Sequence, residues 1–303
     1  MLSSSRKEYF HLYDAQAAPP LYAAPWWLDA TCGPEGWDAL QLKSNTGDGP
    51  YGFPFHKTRI RNLPAIINPW LTQWIPILKS EENLPASLRE MMAALPAVSI
   101  LDLSFKREIS MEGAANQLPV VTRYSYIITP GGNLDSIRKR YNEGLRRNLR
   151  EAEKTYTITS GDDLSSFLGL CSSSYKQRKL NSPAWLPSVI PSVYRSLRLH
   201  ECGALDFAMH HGKPIASILT AWDQKATYYL AGGRTGDEAG ASAHALLLDK
   251  ALTGSVLQGR EFDFEGSMHS GIANFFQSFG ASPEEYWQVK KYRGMGKLWS
   301  LFH

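Results

Sequence analysis

The sequence predicts an α/β chain in two parts. The second part is built on a mixed, mostly antiparallel sheet flanked by helices, with one parallel strand pair. Three observations carry this expectation. ALDFAMHHG, PIASILTAWD and ATYYLAGG (204–233) are strand-like runs separated by the turn dipeptides HG and DQ, the pattern of an antiparallel meander. A helical run, GASAHALLLDKALTGSVLQG (240–259), and a further strand, EFDFEG (261–266), follow with no hairpin between them. Strand, helix, strand without a hairpin implies a parallel pair joined by a crossover. The texture of the chain also changes at Gly131, from proline-, tryptophan- and turn-rich to regular, which divides it into 1–130 and 131–303.

The bulk numbers fit this division. The chain has 303 residues, 43% hydrophobic and 20% charged, which suits two domains of moderate size. A net charge of +3 excludes a whole-surface attraction to nucleic acid. Cys32, Cys171 and Cys202 are odd in number and widely spaced, so neither a zinc pattern nor a disulfide framework follows, and a reducing cytoplasm is expected. The first residues, MLSSSRKEYFHLYDAQ, carry no apolar signal region, and no stretch approaches the length of a membrane span.

In the first part, Pro25 opens a short helix that Gly33 ends. WDALQLK and YGFPFHKTRI read as strands either side of the turn SNTGDGP, NPWLTQWIP (68–76) as irregular, LPASLREMMAALP (84–96) as a helix, and VSILDLSF and VVTRYSYII as strands. In the second part, NLDSIRKRYNEGLRRNLREAEK (133–154) reads as one long helix capped by Asn133, with Ile137, Tyr141, Leu145, Leu149 and Ala152 as its apolar stripe. TYTITSG is a strand, DDLSSFLGLCSSSYKQ a helix from near Asp162, and VYRSLRLHEC a second helix. After EFDFEG come the helix IANFFQSFG and the strand EYWQVKKYRG.

Three places can carry chemistry. In EFDFEG the alternation puts Asp263 and Glu265 on one face and Phe262 and Phe264 on the other, so the carboxylates form either a solvated edge or one wall of a site. In an open sheet, ligands favour the carboxyl ends of strands at a topological break. The loop RTGDEAGASA (234–243) is glycine-rich and enters a helix, where free amides attract anions. The segment from Arg138 to Lys154 holds seven Lys/Arg and three Glu, a net of +4 against +3 for the whole chain, so basic charge is concentrated there. Its faces offer phosphate contacts or Glu–Arg pairs. His210 and His211 point to opposite faces of a strand and suit a turn better than a metal. Ser267 suits a helix cap, and of Tyr228 and Tyr229 one packs inward while the other can line a groove.

LRRNLREAEK (145–154), YYLAGG with HALLLDKAL, and FDFEGSMHSGIANFFQSFGA (262–281) together resemble the GNAT superfamily of acyltransferases, and more closely its two-domain Fem-type branch. PLYAAPWWLDATCG and NPWLTQW resemble a degenerate first domain of that branch. The resemblance implies two GNAT-like domains, 1–130 degenerate and 131–303 carrying the transfer site, each a mixed, mostly antiparallel sheet flanked by helices, with a splayed parallel pair in the second. It implies a bacterial-type, cytoplasmic N-acyltransferase using acyl-CoA (acetyl-CoA or longer) as co-substrate, with no metal and no membrane insertion, and direct attack by an amine acceptor. The acceptor would be a small molecule or resemble a peptidoglycan precursor. Within that resemblance Glu265 is the preferred general base, with Asp263 and Tyr286 as further catalytic candidates. Arg234, Gly236, Gly240, Ala241, Ser242 and Ala243 would cradle the donor's diphosphate, and Arg146, Arg147, Arg150 and Tyr228 would meet the acceptor. Two alternatives stand beside this. One is transfer from aminoacyl-tRNA to a cell-wall precursor. The other is a non-catalytic binding protein of the same fold, suggested by Phe276 where the family places a polar residue and by the wide spacing of the glycines in 234–243.

Overall fold

The computed structural model describes residues 4–43, 49–81, 86–110 and 118–294. Most of the expected turn at 44–50, and the start of the expected helix at 84–96, lie outside the described residues. In chain order the elements are α1 (Ser4–Asp14), α2 (Pro25–Cys32), β1 (Trp37–Lys43), β2 (Pro50–Ile60), β3 (Leu63–Ile67), β4 (Leu78–Lys79), α3 (Leu88–Ala94), β5 (Ile100–Lys106) and β6 (Val120–Ile128). Then follow α4 (Leu134–Lys139), α5 (Glu143–Thr155), β7 (Thr157–Ser160), α6 (Leu164–Gln177), α7 (Trp185–Leu199), β8 (Gly203–His210), β9 (Lys213–Trp222) and β10 (Ala226–Arg234). The remaining elements are α8 (Glu238–Leu257), β11 (Glu261–Asp263), α9 (Ser270–Ser278) and β12 (Ser282–Tyr292). The chain divides into two compact units, residues 1–123 with 285–303, and residues 124–284.

In the first unit, β1 and β2 pair antiparallel from Trp37↔His56 to Lys43↔Pro50. β2 turns into β3 through Arg61 and Asn62, both with positive φ (48° and 65°), the conformation a two-residue hairpin needs. β3 then runs parallel to β5, with Ala65, Ile66 and Ile67 opposite Ile100, Leu101 and Asp102. β5 pairs antiparallel with β12 from Tyr286↔Lys106 to Tyr292↔Ile100. Tyr51, Phe53, Phe55, Ile66, Leu88, Met91, Leu103, Phe105 and Val289 form the core beneath these strands. The sequence reading missed α1 and β3, because a short run containing Pro64 carries little strand signal of its own.

In the second unit the strand order is β6-β11-β10-β9-β8-β7. β8, β9 and β10 form the expected meander. His211 and Gly212, both with positive φ (48° and 75°), make the tight turn between β8 and β9. β10 and β11 are parallel, with Ala226, Thr227 and Tyr228 opposite Glu261, Phe262 and Asp263, and α8 makes the crossover between them. β11 pairs on its other side antiparallel to β6.

The expected single helix over 133–154 is two helices. Asn133 caps α4 by accepting from the Ser136 amide, as expected. Asn142 then caps a second start, accepting from the Leu145 amide at 2.7 Å while its own amide donates to Ser278 O. Arg140 therefore falls outside α5 and does not share a helix face with Arg147 and Lys154. Leu145, Leu149 and Ala152 still turn inward, against a core that includes Leu248, Leu252, Phe262, Phe264, Phe276 and Phe279. Asp249 of α8, only 1% exposed, accepts from Arg138 and from Tyr141 Oη at 2.9 Å, which fastens α8 to the α4–α5 corner. A buried carboxylate is tolerable only when its oxygens are satisfied in this way.

Candidate functional site

The site is built where β10 and β11 part. Their pairing stops at Tyr228↔Asp263. β10 continues to Arg234 beside β9, with a bulge between Tyr229 and Ala231, while β11 ends at Asp263. The chain then turns sharply, because Glu265 and Gly266 both adopt positive φ (62° and 61°). Such a backbone costs a non-glycine residue on the order of 1–3 kcal/mol and persists only where its surroundings enforce it. Here Asp263, 3% exposed, supplies the restraint: its Oδ1 accepts the Glu265 amide at 2.8 Å and the Ser125 hydroxyl of β6. The turn breaks the alternation read from the sequence. Asp263 and Glu265 do not share one strand face; the first holds the backbone of the second.

Glu265 Oε1 is shielded from solvent and has no hydrogen-bond partner among the described residues. Burial pushes the Glu265 carboxyl well above the ordinary glutamate range. An orphaned buried carboxyl is rare in a settled core and is a marker of chemistry. Its neighbour in sequence, Phe264, belongs to an aromatic cluster: Phe264 stacks on Phe276 at 4.7 Å, and Phe276 meets Tyr126 and Tyr229.

Tyr228 and Tyr229 do face opposite ways, as the strand requires. Tyr228, expected at the acceptor, is 3% exposed and donates to Asp223 Oδ2 at 3.0 Å, which leaves it no accessible surface. Tyr229, on the other face, is half-buried and packs against the core. Its hydroxyl lies 3.0 Å from His244 Nε2 in the first turns of α8. Burial, then Arg234 and Arg178, hold the His244 imidazole neutral, with its pKa lowered to about 4. Sequence reasoning missed His244; its signal was a lone polar ring inside HALLLDKAL, at the start of the crossover helix.

The loop before α8 differs from the expected cradle. The helix begins at Glu238, so Gly240, Ala241, Ser242 and Ala243 lie inside it rather than at its mouth. Asp237 is the cap: its Oδ1 accepts the Gly240 amide at 2.9 Å and the Thr235 hydroxyl at 2.6 Å, and its carbonyl accepts the Ala241 amide. The amides expected to greet an anion are thus engaged by a carboxylate of the chain itself. Arg234 folds back onto its own loop, donating to Thr235 O at 3.0 Å and Asp237 O at 3.4 Å. Gly240 is required because a Cβ there would strike Thr235, and Gly236 packs on Gln177.

Of the expected acceptor and donor residues, Arg147 and Ser242 come together. α5 and the first turns of α8 enclose a groove of about 370 Å³ lined by Gly144, Arg147, Asn148, Glu151, Tyr156 and Ser242, among others. Arg146, Arg147 and Arg150 make no ion pair among the described residues, whereas Lys154 is held by Glu151 at 2.9 Å and Arg138 by Glu153 at 2.9 Å. Tyr286 stands in β12 opposite Lys106, in the first unit. The His210 and His211 rings meet at a tilt, 4.1 Å apart, at the hairpin turn, and among the described residues no group of three or more His, Cys, Asp or Glu side chains could hold a metal. No helix among the described residues is long and apolar enough to cross a membrane.

Residues 136–275, which include the meander and the parallel crossover pair, match the family model described as acetyltransferase (GNAT) domain. The chain carries a GNAT-type acyltransferase domain. No curated protein matches it in sequence. Among solved structures, FemX is similar over 99% of this chain and 98% of its own, with 13% identity and a TM-score of 0.66. The C-terminal domain of a lysylphosphatidylglycerol synthetase from Agrobacterium fabrum is similar over 98% of this chain and 96% of its own, at 14% identity and a TM-score of 0.55. A tandem GNAT protein from the clavulanic acid biosynthesis pathway is similar over 97% of both chains, at 11% identity and a TM-score of 0.51. At these identities the likeness is one of fold. The matched residues lie wholly in the second unit, as do Glu265, Tyr229 and His244.

Proposed function

We propose that the second unit transfers an acyl group directly to an amine, with Glu265 accepting the amine's proton. The observation that carries this reading is the buried, unpartnered Glu265 Oε1 just beyond the last pair of the parallel strands. A dry carboxylate is a stronger base than a solvated one, and its tuned affinity for a proton is what abstraction from an attacking amine requires. Asp263 and Ser125 act as positioning residues, because they fix the left-handed backbone that presents the Glu265 carboxyl. The acyl donor lies between the parted strands, where proximity and a water-poor wall of Phe264 and Phe276 do much of the work. The groove beside Arg147 and Glu151 is the approach for the amine-bearing acceptor.

An acyl-CoA donor is the reading closest to the GNAT domain. Asp237 favours a second donor, an aminoacyl ester on tRNA, since its carboxylate stands where a diphosphate would rest and the unpaired arginines of α5 offer phosphate contacts. Calorimetry separates them. Heat with acetyl-CoA or a longer acyl-CoA supports the thioester donor. Binding of aminoacyl-tRNA that weakens steeply between about 50 and 200 mM salt supports the ester donor. Silence with both contradicts the transfer reading.

A further inference from the structure

The α6–α7 hairpin carries charge of one sign. From Leu164 to His200 there are five basic residues, Lys176, Arg178, Lys179, Arg195 and Arg198, and no Asp or Glu. Of the chain's 32 Lys/Arg that leaves 27 elsewhere, against all 29 Asp/Glu. The basic segment of α4 and α5 differs, because Arg138 and Lys154 there are tied to carboxylates. In the hairpin Arg198 reaches Asp162 at 3.7 Å. Lys176, Arg178, Lys179 and Arg195 are exposed and make no ion pair among the described residues.

Three of these cations stand at the tip, where the end of α6 departs from the usual residue choice. The Leu180 amide donates to Tyr175 O at 3.0 Å and the Lys179 amide to Lys176 O at 2.9 Å. These two bonds make a Schellman end, whose left-handed residue is usually glycine. Here it is Lys179, at φ 57°. The residue after it usually packs back on the last turn, yet Leu180 is 55% exposed. The tip thus holds a lysine where glycine is easier and a leucine that the fold leaves in water. Trp185, half-buried, opens α7 five residues later. Neither Lys179 nor Leu180 serves the packing of the hairpin, so both point to something outside the chain.

We propose that the tip of the α6–α7 hairpin docks on an anionic phospholipid surface, lying on the bilayer without crossing it. Lys176, Arg178 and Lys179 meet the lipid phosphates, and Leu180 reaches the boundary between headgroups and acyl chains. Trp185 is a residue type that favours the same boundary. Charge selects an anionic partner. The exposed leucine selects lipid over nucleic acid, because a phosphate backbone offers it nothing to pack on. Two carboxylates come next to the tip through Gly236, which packs on Gln177. Asp237 is engaged as the cap of α8, which leaves Glu238 against three cations. Gln177 donates to Arg234 O at 3.3 Å, and the Arg234 amide donates to Ser174 Oγ at 2.9 Å. The tip therefore adjoins the end of β10, and docking brings that end near the lipid. The surface does not depend on the acyl-transfer reading.

Vesicle co-sedimentation of the full chain tests this and needs no turnover. Vesicles of phosphatidylcholine with about one third phosphatidylglycerol should bind about 100-fold more tightly than phosphatidylcholine alone. Replacing Lys176, Arg178 and Lys179 together by Gln should remove that advantage, at roughly fivefold for each charge. Leu180→Ser should weaken binding about tenfold at unchanged charge. Lys179→Gly separates binding from folding. Glycine suits the left-handed position, so the melting temperature should rise while vesicle affinity falls about fivefold. No binding to the anionic vesicles, equal binding to both kinds, or full binding by the Gln variant overturns the proposal. An unchanged affinity of Leu180→Ser overturns it too. Transfer RNA binding lost by the Gln variant, read by fluorescence anisotropy, would then make the tip a nucleic-acid contact.

Discussion

Each unit contains one parallel strand pair of three residue pairs, β3 with β5 in the first and β10 with β11 in the second, each crossed by a helix. They differ in what happens just past the last pair. In the first unit the end is stitched shut. Asn68 donates its amide to Asp102 O, accepts the Ser104 amide at 2.9 Å on its side chain, and gives its own side-chain amide to Thr72 O and Gln73 O at 3.0 Å each. The Ile75 amide then reaches Ser104 O at 2.7 Å and continues the ladder. In the second unit no such stitch among the described residues follows Tyr228 and Asp263, and a carboxyl oxygen is left without a partner there. Both crossover helices start with a side-chain cap, Ser87 on the Glu90 amide and Asp237 on the Gly240 amide. The distinction between a structural pair and a chemical one therefore lies at the strand ends, not at the helix starts where a glycine-rich loop draws attention.

The comparison breaks first at Glu265. Replacement by glutamine keeps the shape and removes the base, so turnover should fall by about 100-fold with donor affinity unchanged, as read by initial rates and calorimetry. Turnover close to that of the parent chain would mean that the open end is not where the proton goes. The unaltered enzyme should gain rate as pH rises through the raised Glu265 pKa, because only the carboxylate accepts a proton.

Next in size is the stitched end. Asn68→Ala leaves the buried Ser104 amide unpaired and should cost about 2 kcal/mol in urea unfolding. A neutral result would make the two ends alike in energy despite their different bonding.

The stability effect of Glu265→Gln should be smaller and opposite in sign, a gain of about 1 kcal/mol. Glu265 has its pKa raised in the folded state, so its contribution to stability is present at low pH and lost as pH rises through the folded value. The gain on replacement should therefore grow with pH, measured as melting temperature across the acid-to-neutral range; a gain confined to low pH would contradict it. Smallest are the caps. Ser87→Ala and Asp237→Ala should each cost about 1 kcal/mol, and a cost several times larger at Asp237 alone would mark the loop before α8 as more than a cap.

Much of the second unit was legible in sequence, since its signals are local. The HG turn, the cap at Asn133, and the strand–helix–strand order that makes β10 and β11 parallel all follow from residues near one another. Glu265 was legible as a carboxylate near a strand end. What was not legible depends on distant partners. The break between α4 and α5 needs the bond from the Asn142 amide to Ser278 O. The division of labour between Asp263 and Glu265 needs Ser125, which lies 138 residues before Asp263. The Tyr229–His244 pair needs a strand and a helix folded against each other across Gly232. The cradle expected at 234–243 failed for a local reason that composition hides: an aspartate among glycines is a better cap than a diphosphate host.

The claim on which the rest depends is that one oxygen of Glu265, Oε1, is kept shielded and without a partner just past the last pair of its strands. Carbon-13 NMR titration of its carboxyl in the intact protein reads this directly. A midpoint well above the ordinary glutamate value of about 4.3 is predicted; titration at that ordinary value would contradict the account.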